Sequence, residues 1–177
     1  MDEDDRPFKD FGLLHSLNFM YLTMAHQGDG QIEPEEMEKS AEFIFKYAIE
    51  SESLRVQGFQ AVDDYAREAI TKSLEVYQEF LNMGRDKVFE VYSVLLGNTI
   101  KSFPPEYLGR IYDELYAVAE ADGSVTGGEK VILEKTAKAW GLDRWMMNLI
   151  SSAIIYPFIT HCILLLHTNV MGCRSPL

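Results

Sequence analysis

Apolar residues recur at helical intervals along most of the chain, and no segment alternates apolar and polar residues as a half-buried strand would. Prolines at favoured first helical positions and glycines at helix ends mark the segment boundaries. The pattern therefore predicts an all-α fold of about seven helices. They are expected at residues 8–24, 34–50, 60–82, 86–102, 105–118 and 128–140, with a last helix opening after Asp143.

A short motif occurs twice, each time after an apolar helical segment. Residues 28–36 read GDGQIEPEE and residues 121–129 read ADGSVTGGE. When the two copies are aligned with an offset of 93 residues, Asp29 matches Asp122, and the glycine, the aliphatic residue and the final glutamate of the motif also match. An internal repeat of this kind indicates a fold built from related units.

The repeat predicts how the chain is organised. We expect two helix-loop-helix units, residues 8–50 and 101–143, that pack as pseudo-symmetric halves around one core. Together with the intervening helices they form one predicted domain over residues 8–155. A chain of 177 residues with 47% hydrophobic residues is large enough to bury such a core. Residues 156–177 are left as an apolar C-terminal tail of uncertain role.

The repeated acids have a purely structural interpretation. Thr126 and Glu129 have the spacing of a capping box, in which the glutamate accepts a hydrogen bond from the threonine's own backbone N–H. Glu36 takes the same third helical position after Glu33, which is a weaker cap. The two motif aspartates are suited to forming turns. On this interpretation the acids only shape the loops.

The second interpretation is a cation site. Both copies match the second half of an EF-hand calcium loop, but the first ligand position falls on Ala25 or Val118, so neither loop is expected to bind Ca²⁺ alone. If the two halves pack about a pseudo-twofold axis, their loops can pool hard oxygen ligands for Ca²⁺ or Mg²⁺. The candidate metal ligands are Asp29, Glu36, Asp122 and Glu129.

Composition narrows the classes of function. Sixteen Lys plus Arg against 28 Asp plus Glu give a formal charge of -12, which disfavours nucleic-acid partners. The two cysteines lie near the C-terminus and suggest neither a disulfide framework nor a zinc site. Because the N-terminus is also acidic rather than basic, we expect a cytoplasmic protein.

No catalytic motif is found in the sequence. The four histidines, His15, His26, His161 and His167, lack metal-ligand spacing, and there is no nucleophile motif, P-loop or dinucleotide fingerprint. We therefore expect no enzyme, no catalytic or cofactor-binding residues and no identified small-molecule substrate. A Mg²⁺-dependent hydrolase stays as the less favoured enzymatic alternative.

The C-terminal segment is unusual because residues 145–173 contain no Lys, Arg, Asp or Glu. An uncharged run of this length is long enough to span a membrane. Pro157 and several polar residues dilute its hydrophobicity, so a packed terminal helix is preferred over a membrane anchor. We expect residues 154–166 to be covered by the domain or by a partner. Membrane association through this tail remains the alternative.

The repeated motif resembles one found in a known family. An apolar helix, the sequence Ala-Asp-Gly-x-Val-Thr-x-x-Glu and an amphipathic helix together resemble the tellurite-resistance TerB-like family. Residues 121–129 match that pattern closely. Residues 28–36 match it with Gly28 for the alanine, Glu33 for the Ser/Thr and an added Pro34, and the similarity of helix order extends over residues 8–155.

The resemblance carries its own expectations. It implies about seven helices in two pseudo-symmetric halves, a divalent-cation site at the four motif acids and no known catalysis. The family is linked to tellurite and other stress responses as a scaffold with membrane-associated and calcium-binding partners. We therefore expect a non-enzymatic stress-related scaffold or adaptor with protein partners. A purely structural helical interaction module is the alternative.

Overall fold

The computed structural model describes residues 11–27 and 30–142 and contains seven α-helices. The chain divides into two compact units, Met1–Trp140 and Gly141–Leu177, and all seven helices belong to the first. In chain order the helices are α1 (Leu13–His26), α2 (Pro34–Glu50), α3 (Glu52–Gln57), α4 (Phe59–Met83), α5 (Arg85–Ser102), α6 (Pro105–Ala119) and α7 (Gly127–Trp140).

Helix α1 lies at the centre of the first unit. Its residues are buried on every face from Leu14 to His26 except at Ser16, as its almost continuous apolar sequence predicts. It packs against α2, α4, α5, α6 and α7. The other long helices have one buried face each, and these faces pack against α1 and against one another.

Prolines and glycines set several helix boundaries as predicted. Pro34 and Pro105 occupy the first turns of α2 and α6, where a missing N–H costs nothing. Gly84 separates α4 from α5 with a φ of 121°, a conformation that other residues adopt reluctantly. These positions explain why the bounds of α2 and α5 agree with the sequence prediction to within one residue.

The all-α prediction is confirmed for the described residues, in which no strand occurs. Two differences concern individual helices. The short α3 was not predicted, and α1 begins at Leu13 because Gly12 has an extended backbone. The predicted helix after Asp143 lies outside the described residues. None of the described helices is long and apolar enough to cross a membrane.

The two repeated loops have similar backbone conformations. Gln27 and Glu120 both end their helices in the αR region, with φ values of -84° and -93°. Gly30 and Gly123 both have positive φ, at 88° and 98°. The following helices begin at Pro34 and Gly127. The predicted superposition of the complete halves remains a prediction.

Candidate functional site

The second acidic loop is a tight turn at the end of α6. The Gly123 N–H donates to the Glu120 carbonyl at 2.9 Å, and the Ser124 N–H donates to Oδ1 of Asp122 at 2.9 Å. Asp122 is exposed, so its carboxylate both forms the turn and faces solvent. The turn-forming interpretation of this residue is therefore confirmed.

Glu129 caps α7. Its side chain is only 2% exposed, and its Oε2 accepts hydrogen bonds from the Thr126 N–H at 2.6 Å and the Thr126 hydroxyl at 2.8 Å. The Glu129 N–H donates in return to the Thr126 hydroxyl oxygen at 3.4 Å. This reciprocal arrangement is the predicted capping box, which satisfies N–H groups that the first helical turn cannot.

Glu36 has the same position at the start of α2. It is 3% exposed, and its Oε2 accepts a hydrogen bond from the Glu33 N–H at 2.8 Å. The two motif glutamates therefore share one structural role. Gly28 and Asp29 lie outside the described residues.

The end of α1 and the start of α7 meet closely. A Cβ added to Gly128 would collide with the backbone carbonyl of Gln27, so only glycine fits at this point of α7. The Nε2 of Gln27 is buried and has no hydrogen-bond partner within the described residues. The helices that flank the two acidic loops thus come into contact at Gln27 and Gly128.

This contact does not by itself assemble a metal site. Among residues 11–27 and 30–142, no three His, Cys, Asp or Glu side chains are grouped so that they could hold a metal ion. Of the four candidate ligands, Glu36 and Glu129 cap helices, Asp122 forms a turn and Asp29 lies outside the described residues. The described acids therefore fit the capping interpretation directly.

A buried carboxylate that the sequence analysis did not identify lies between α1, α2 and α6. Glu114 is 4% exposed, and its Oε2 accepts hydrogen bonds from the hydroxyls of Tyr21 at 2.8 Å and Tyr47 at 2.9 Å. Its Oε1 accepts from Nε of Arg110 at 3.1 Å. These charge-assisted hydrogen bonds compensate for burying the carboxylate.

Arg110 connects this cluster to the surface. Its two terminal nitrogens donate to the two carboxylate oxygens of Glu50 at 2.8 and 2.9 Å, and its guanidinium lies over the Tyr47 ring, 4.5 Å from the centroid. Hydrogen bonding to Arg110 lowers the pKa of Glu50, and hydrogen bonding to Glu50 raises the pKa of Arg110. Burial, reinforced by Glu114, raises the pKa of both Tyr21 and Tyr47.

One signal in the sequence pointed to Glu114. Ile111, Leu115 and Val118 define the buried face of α6, and Glu114 lies on the same side of the helix. A carboxylate on a buried face requires partners. The sequence could not say which donors would provide them, since Tyr21 and Tyr47 look like ordinary core residues there.

Two described histidines also have specific partners. The Nδ1 of His15 accepts from the Gly12 N–H at 3.1 Å, and its Nε2 lies 3.0 Å from Oε2 of Glu68. An accepting Nδ1 places the proton of the neutral ring on Nε2, which then donates to Glu68. The Nδ1 of His26 lies 2.7 Å from the Tyr77 hydroxyl. His161 and His167 lie outside the described residues.

Comparisons with protein-family models, curated proteins and solved structures found no match. The resemblance to the TerB-like family accordingly stays an expectation based on the repeated motif.

Proposed function

We propose that this chain is a non-enzymatic, TerB-like helical module that binds one divalent cation, Ca²⁺ or Mg²⁺, between its two acidic loops and acts as a stress-related scaffold or adaptor. The observation that carries the proposal is the contact between Gln27 and Gly128, because pooled binding requires the two loops to be neighbours. A cytoplasmic location with protein partners is part of the proposal.

The chemistry of the acids is compatible with a hard cation. The hydrogen bonds that Glu129 accepts at the start of α7 all end on Oε2, so capping and metal ligation through Oε1 do not compete for the same oxygen. Asp122 offers an exposed carboxylate in the neighbouring turn. Asp29 and Glu36 would complete the ligand set. The cation would neutralise acids that otherwise repel one another.

Calorimetric titration of the full chain with Ca²⁺ and then Mg²⁺ tests this function. We expect one site per chain with weak affinity, because Asp122 is exposed to solvent and its Oδ1 already accepts a hydrogen bond from the Ser124 N–H. Equivalent titration of the Asp122→Asn variant should show no site, although asparagine keeps the turn. Wild-type protein that gives no binding signal with either ion would eliminate the cation proposal.

The alternative is a purely structural helical interaction module. It is favoured by the completed capping box at Glu129 and Thr126, because these residues have a stabilising role without any ion. On this alternative the adaptor role remains while cation binding is lost. The same titration distinguishes the two, since only the first predicts a signal.

A further inference from the structure

Three of the described helices begin with the same kind of contact. The side chain of the third helical residue accepts a hydrogen bond from the backbone N–H of the residue that precedes the helix. The pairs are Gly12 with His15 in α1, Glu33 with Glu36 in α2 and Thr126 with Glu129 in α7. Helix α1 therefore uses an imidazole where a capping box normally uses a carboxylate or an amide.

The imidazole differs from the two carboxylates in how it binds protons. Histidine is the residue type whose charge ordinarily changes between about pH 5 and about pH 8. A neutral imidazole has one nitrogen that accepts a hydrogen bond and one that donates, whereas a protonated imidazole has two donors and no acceptor. The cap of α1 is thus the one of the three that is built on a residue type suited to respond near neutral pH.

His15 has a second partner on the other side of its ring. The residue is 3% exposed, its Nδ1 accepts from the Gly12 N–H at 3.1 Å, and its Nε2 donates to Oε2 of Glu68 at 3.0 Å. The rings of Phe11 and Tyr65 lie beside the imidazole, with centroid distances of 5.3 and 6.2 Å. The imidazole therefore connects the start of α1 to α4 through one hydrogen bond at each nitrogen.

A second proton on the ring acts differently at the two nitrogens. On Nδ1 it points at the Gly12 N–H, so two donors face each other and the hydrogen bond of the cap is lost. At Nε2 the hydrogen bond to Glu68 becomes charge-assisted and therefore stronger. Protonation of His15 thus exchanges its contact with Gly12 for a firmer contact with Glu68.

Gly12 is the residue on which the first turn of α1 is built. Its carbonyl accepts the first backbone hydrogen bond of the helix, from the Ser16 N–H at 3.1 Å, and a second one from the Ser16 hydroxyl at 3.2 Å. A Cβ added to Gly12 would lie 3.0 Å from the Tyr65 hydroxyl and 3.3 Å from Nδ1 of His15. Because Gly12 is held this closely, loss of the His15 contact loosens the whole first turn.

The surroundings of His15 favour the neutral ring. Burial lowers the pKa of His15; Glu68 on α4 opposes this effect, and Lys72 on the same helix adds to it. Since the capped ring takes up a proton less readily than a free histidine does, a fall in pH favours loss of the cap. Further titratable groups line the cavities that the first turn of α1 shares with other helices: Tyr65 on α4, Lys101 on α5, Tyr47 and Glu50 on α2, and Tyr107 on α6.

We propose that His15, with its hydrogen bonds to Gly12 and Glu68, is a pH-sensitive latch: at neutral pH it fixes the first turn of α1 against α4, and in mild acid its protonation releases Gly12 while the ring stays on Glu68. The released residues line a cavity of about 470 Å³ together with α5, so acid changes the wall of this cavity. The latch contains none of the four candidate metal ligands and is independent of the proposed cation site.

Nuclear magnetic resonance of the ¹⁵N-labelled full chain, with a chelator present, follows both bonds of the latch between about pH 8 and about pH 5. We expect long-range ¹H–¹⁵N spectra to show Nδ1 as the unprotonated nitrogen of His15 at the higher pH. On acidification the Gly12 amide proton should move upfield with the same midpoint as the ring, because its hydrogen bond is lost.

Water exchange of the Ser16 amide measures the opening of the first turn. Corrected for the intrinsic effect of pH, it should rise by about tenfold over the titration, since each proton-linked opening follows the pH directly. The Met37 amide is the internal control. It donates to the Glu33 carbonyl at 3.1 Å, as the Ser16 amide donates to Gly12, but its helix is capped by Glu36. Its corrected exchange should stay within about twofold.

Three variants assign the response to the latch. His15→Gln keeps an acceptor that suits a capping box but cannot titrate, so the pH dependence at Gly12 and Ser16 should disappear. Glu68→Gln removes the charge that stabilises the protonated ring, and the midpoint should move to lower pH. Lys72→Gln is the matched exchange of opposite sign and should move the midpoint to higher pH.

Four results would overturn the proposal. A Gly12 amide shift that does not follow the titration of the His15 ring would separate the cap from the proton. Persistence of the response in His15→Gln would assign it to another group. Equal opening at Ser16 and Met37 would reduce it to general fraying of helix ends in acid. Identical midpoints for Glu68→Gln, Lys72→Gln and the wild type would exclude transfer of the ring onto Glu68.

Discussion

The hydroxyl of Tyr21 in α1 donates to the Glu114 carboxylate in α6 at 2.8 Å, across a separation of 93 residues. The same interval separates the capping glutamates of the two loops, Glu36 and Glu129. In an isologous arrangement, equivalent positions near a twofold axis face one another. Pseudo-symmetric halves remain a prediction, and what the hydrogen bond shows is a direct link between α1 and α6.

Removal of either partner should destabilise the domain. Glu114→Gln weakens charge-assisted hydrogen bonds at a buried position, and we expect a loss of about 1–3 kcal/mol in the free energy of unfolding. Tyr21→Phe should cost about 1 kcal/mol, because Tyr47 still donates to the same oxygen. Urea unfolding of both single variants and the double variant measures their coupling. Strictly additive losses would contradict an energetic link between the two residues.

The contact between the loop-flanking helices is tested by two adjacent glycines. Gly128→Ala places a Cβ against the Gln27 carbonyl, and we expect a loss of about 1–3 kcal/mol, since both neighbouring groups are backbone. Gly127→Ala meets nothing nearby and should be neutral or stabilising by up to about 1 kcal/mol. Thermal melts give the comparison. Equal effects of the two substitutions would indicate that the helices do not meet at this point.

Capping and cation binding make different demands on the motif acids. We expect the double variant Asp29→Asn with Asp122→Asn to lose Ca²⁺-dependent thermal stabilisation while keeping its helical content, because asparagine forms the same turn without charge. Melting temperatures with and without millimolar Ca²⁺ measure this. A wild-type melting temperature that ignores both Ca²⁺ and Mg²⁺ would leave these acids as loop formers.

Glu129→Gln separates the two roles at one residue. A glutamine can still accept the hydrogen bond from the Thr126 N–H, so the stability of the ion-free protein should change little. If Glu129 ligates a cation, the stabilisation by Ca²⁺ should fall with the loss of charge. Glu129→Ala is the control that removes the cap and should lower ion-free stability by about 1 kcal/mol.

His15 should make stability depend on pH in the acidic range. Burial lowers the pKa of His15 despite the opposing effect of Glu68, so the unfolded chain takes up a proton before the folded one does. Stability is therefore fully present above about pH 6.5 and is lost as the pH falls from there towards the folded pKa. His15→Gln should flatten this part of the curve. Chemical unfolding between pH 5 and pH 8 provides the measurement.

The buried tyrosines predict a loss of stability at alkaline pH. Burial raises the pKa of Tyr21, Tyr47, Tyr77 and Tyr92, so the folded state keeps protons that the unfolded chain releases above about pH 10. The free energy of unfolding should accordingly fall as pH rises beyond that value. Ultraviolet titration of the phenol groups in native and denatured protein checks this. Identical titration curves for the two states would contradict the structure.

Local signals in the sequence were sufficient for most helices. Pro34, Pro105 and Gly84 define boundaries through their own backbone chemistry, and the capping box at Thr126 needs only residues three apart. Helix α3 was missed because six residues contain too little periodicity to be distinguished from a turn. Local patterns therefore predicted the long elements and not the short one.

The features that depend on distant residues could not be derived from the sequence. The buried carboxylate of Glu114 requires hydroxyl donors from two other helices, Tyr21 in α1 and Tyr47 in α2. Such contacts between helices depend on the helix packing angles, which the periodicity of apolar residues does not specify. The repeat suggested that the loops are neighbours, yet only the packing of α1 against α7 located the contact at Gly128.

The burial of α1 has a consequence for the order in which the molecule can fold. This helix is synthesised before the helices that cover it, and two of these, α6 and α7, follow only after residue 104. The hydrogen bond between Tyr21 and Glu114 joins residues 93 positions apart, and non-local contacts of this kind form late in folding. The nascent chain therefore carries an apolar helix without its complete cover until α7 has emerged. Chains terminated before α6 should aggregate, whereas the finished domain acquires its stability late and cooperatively.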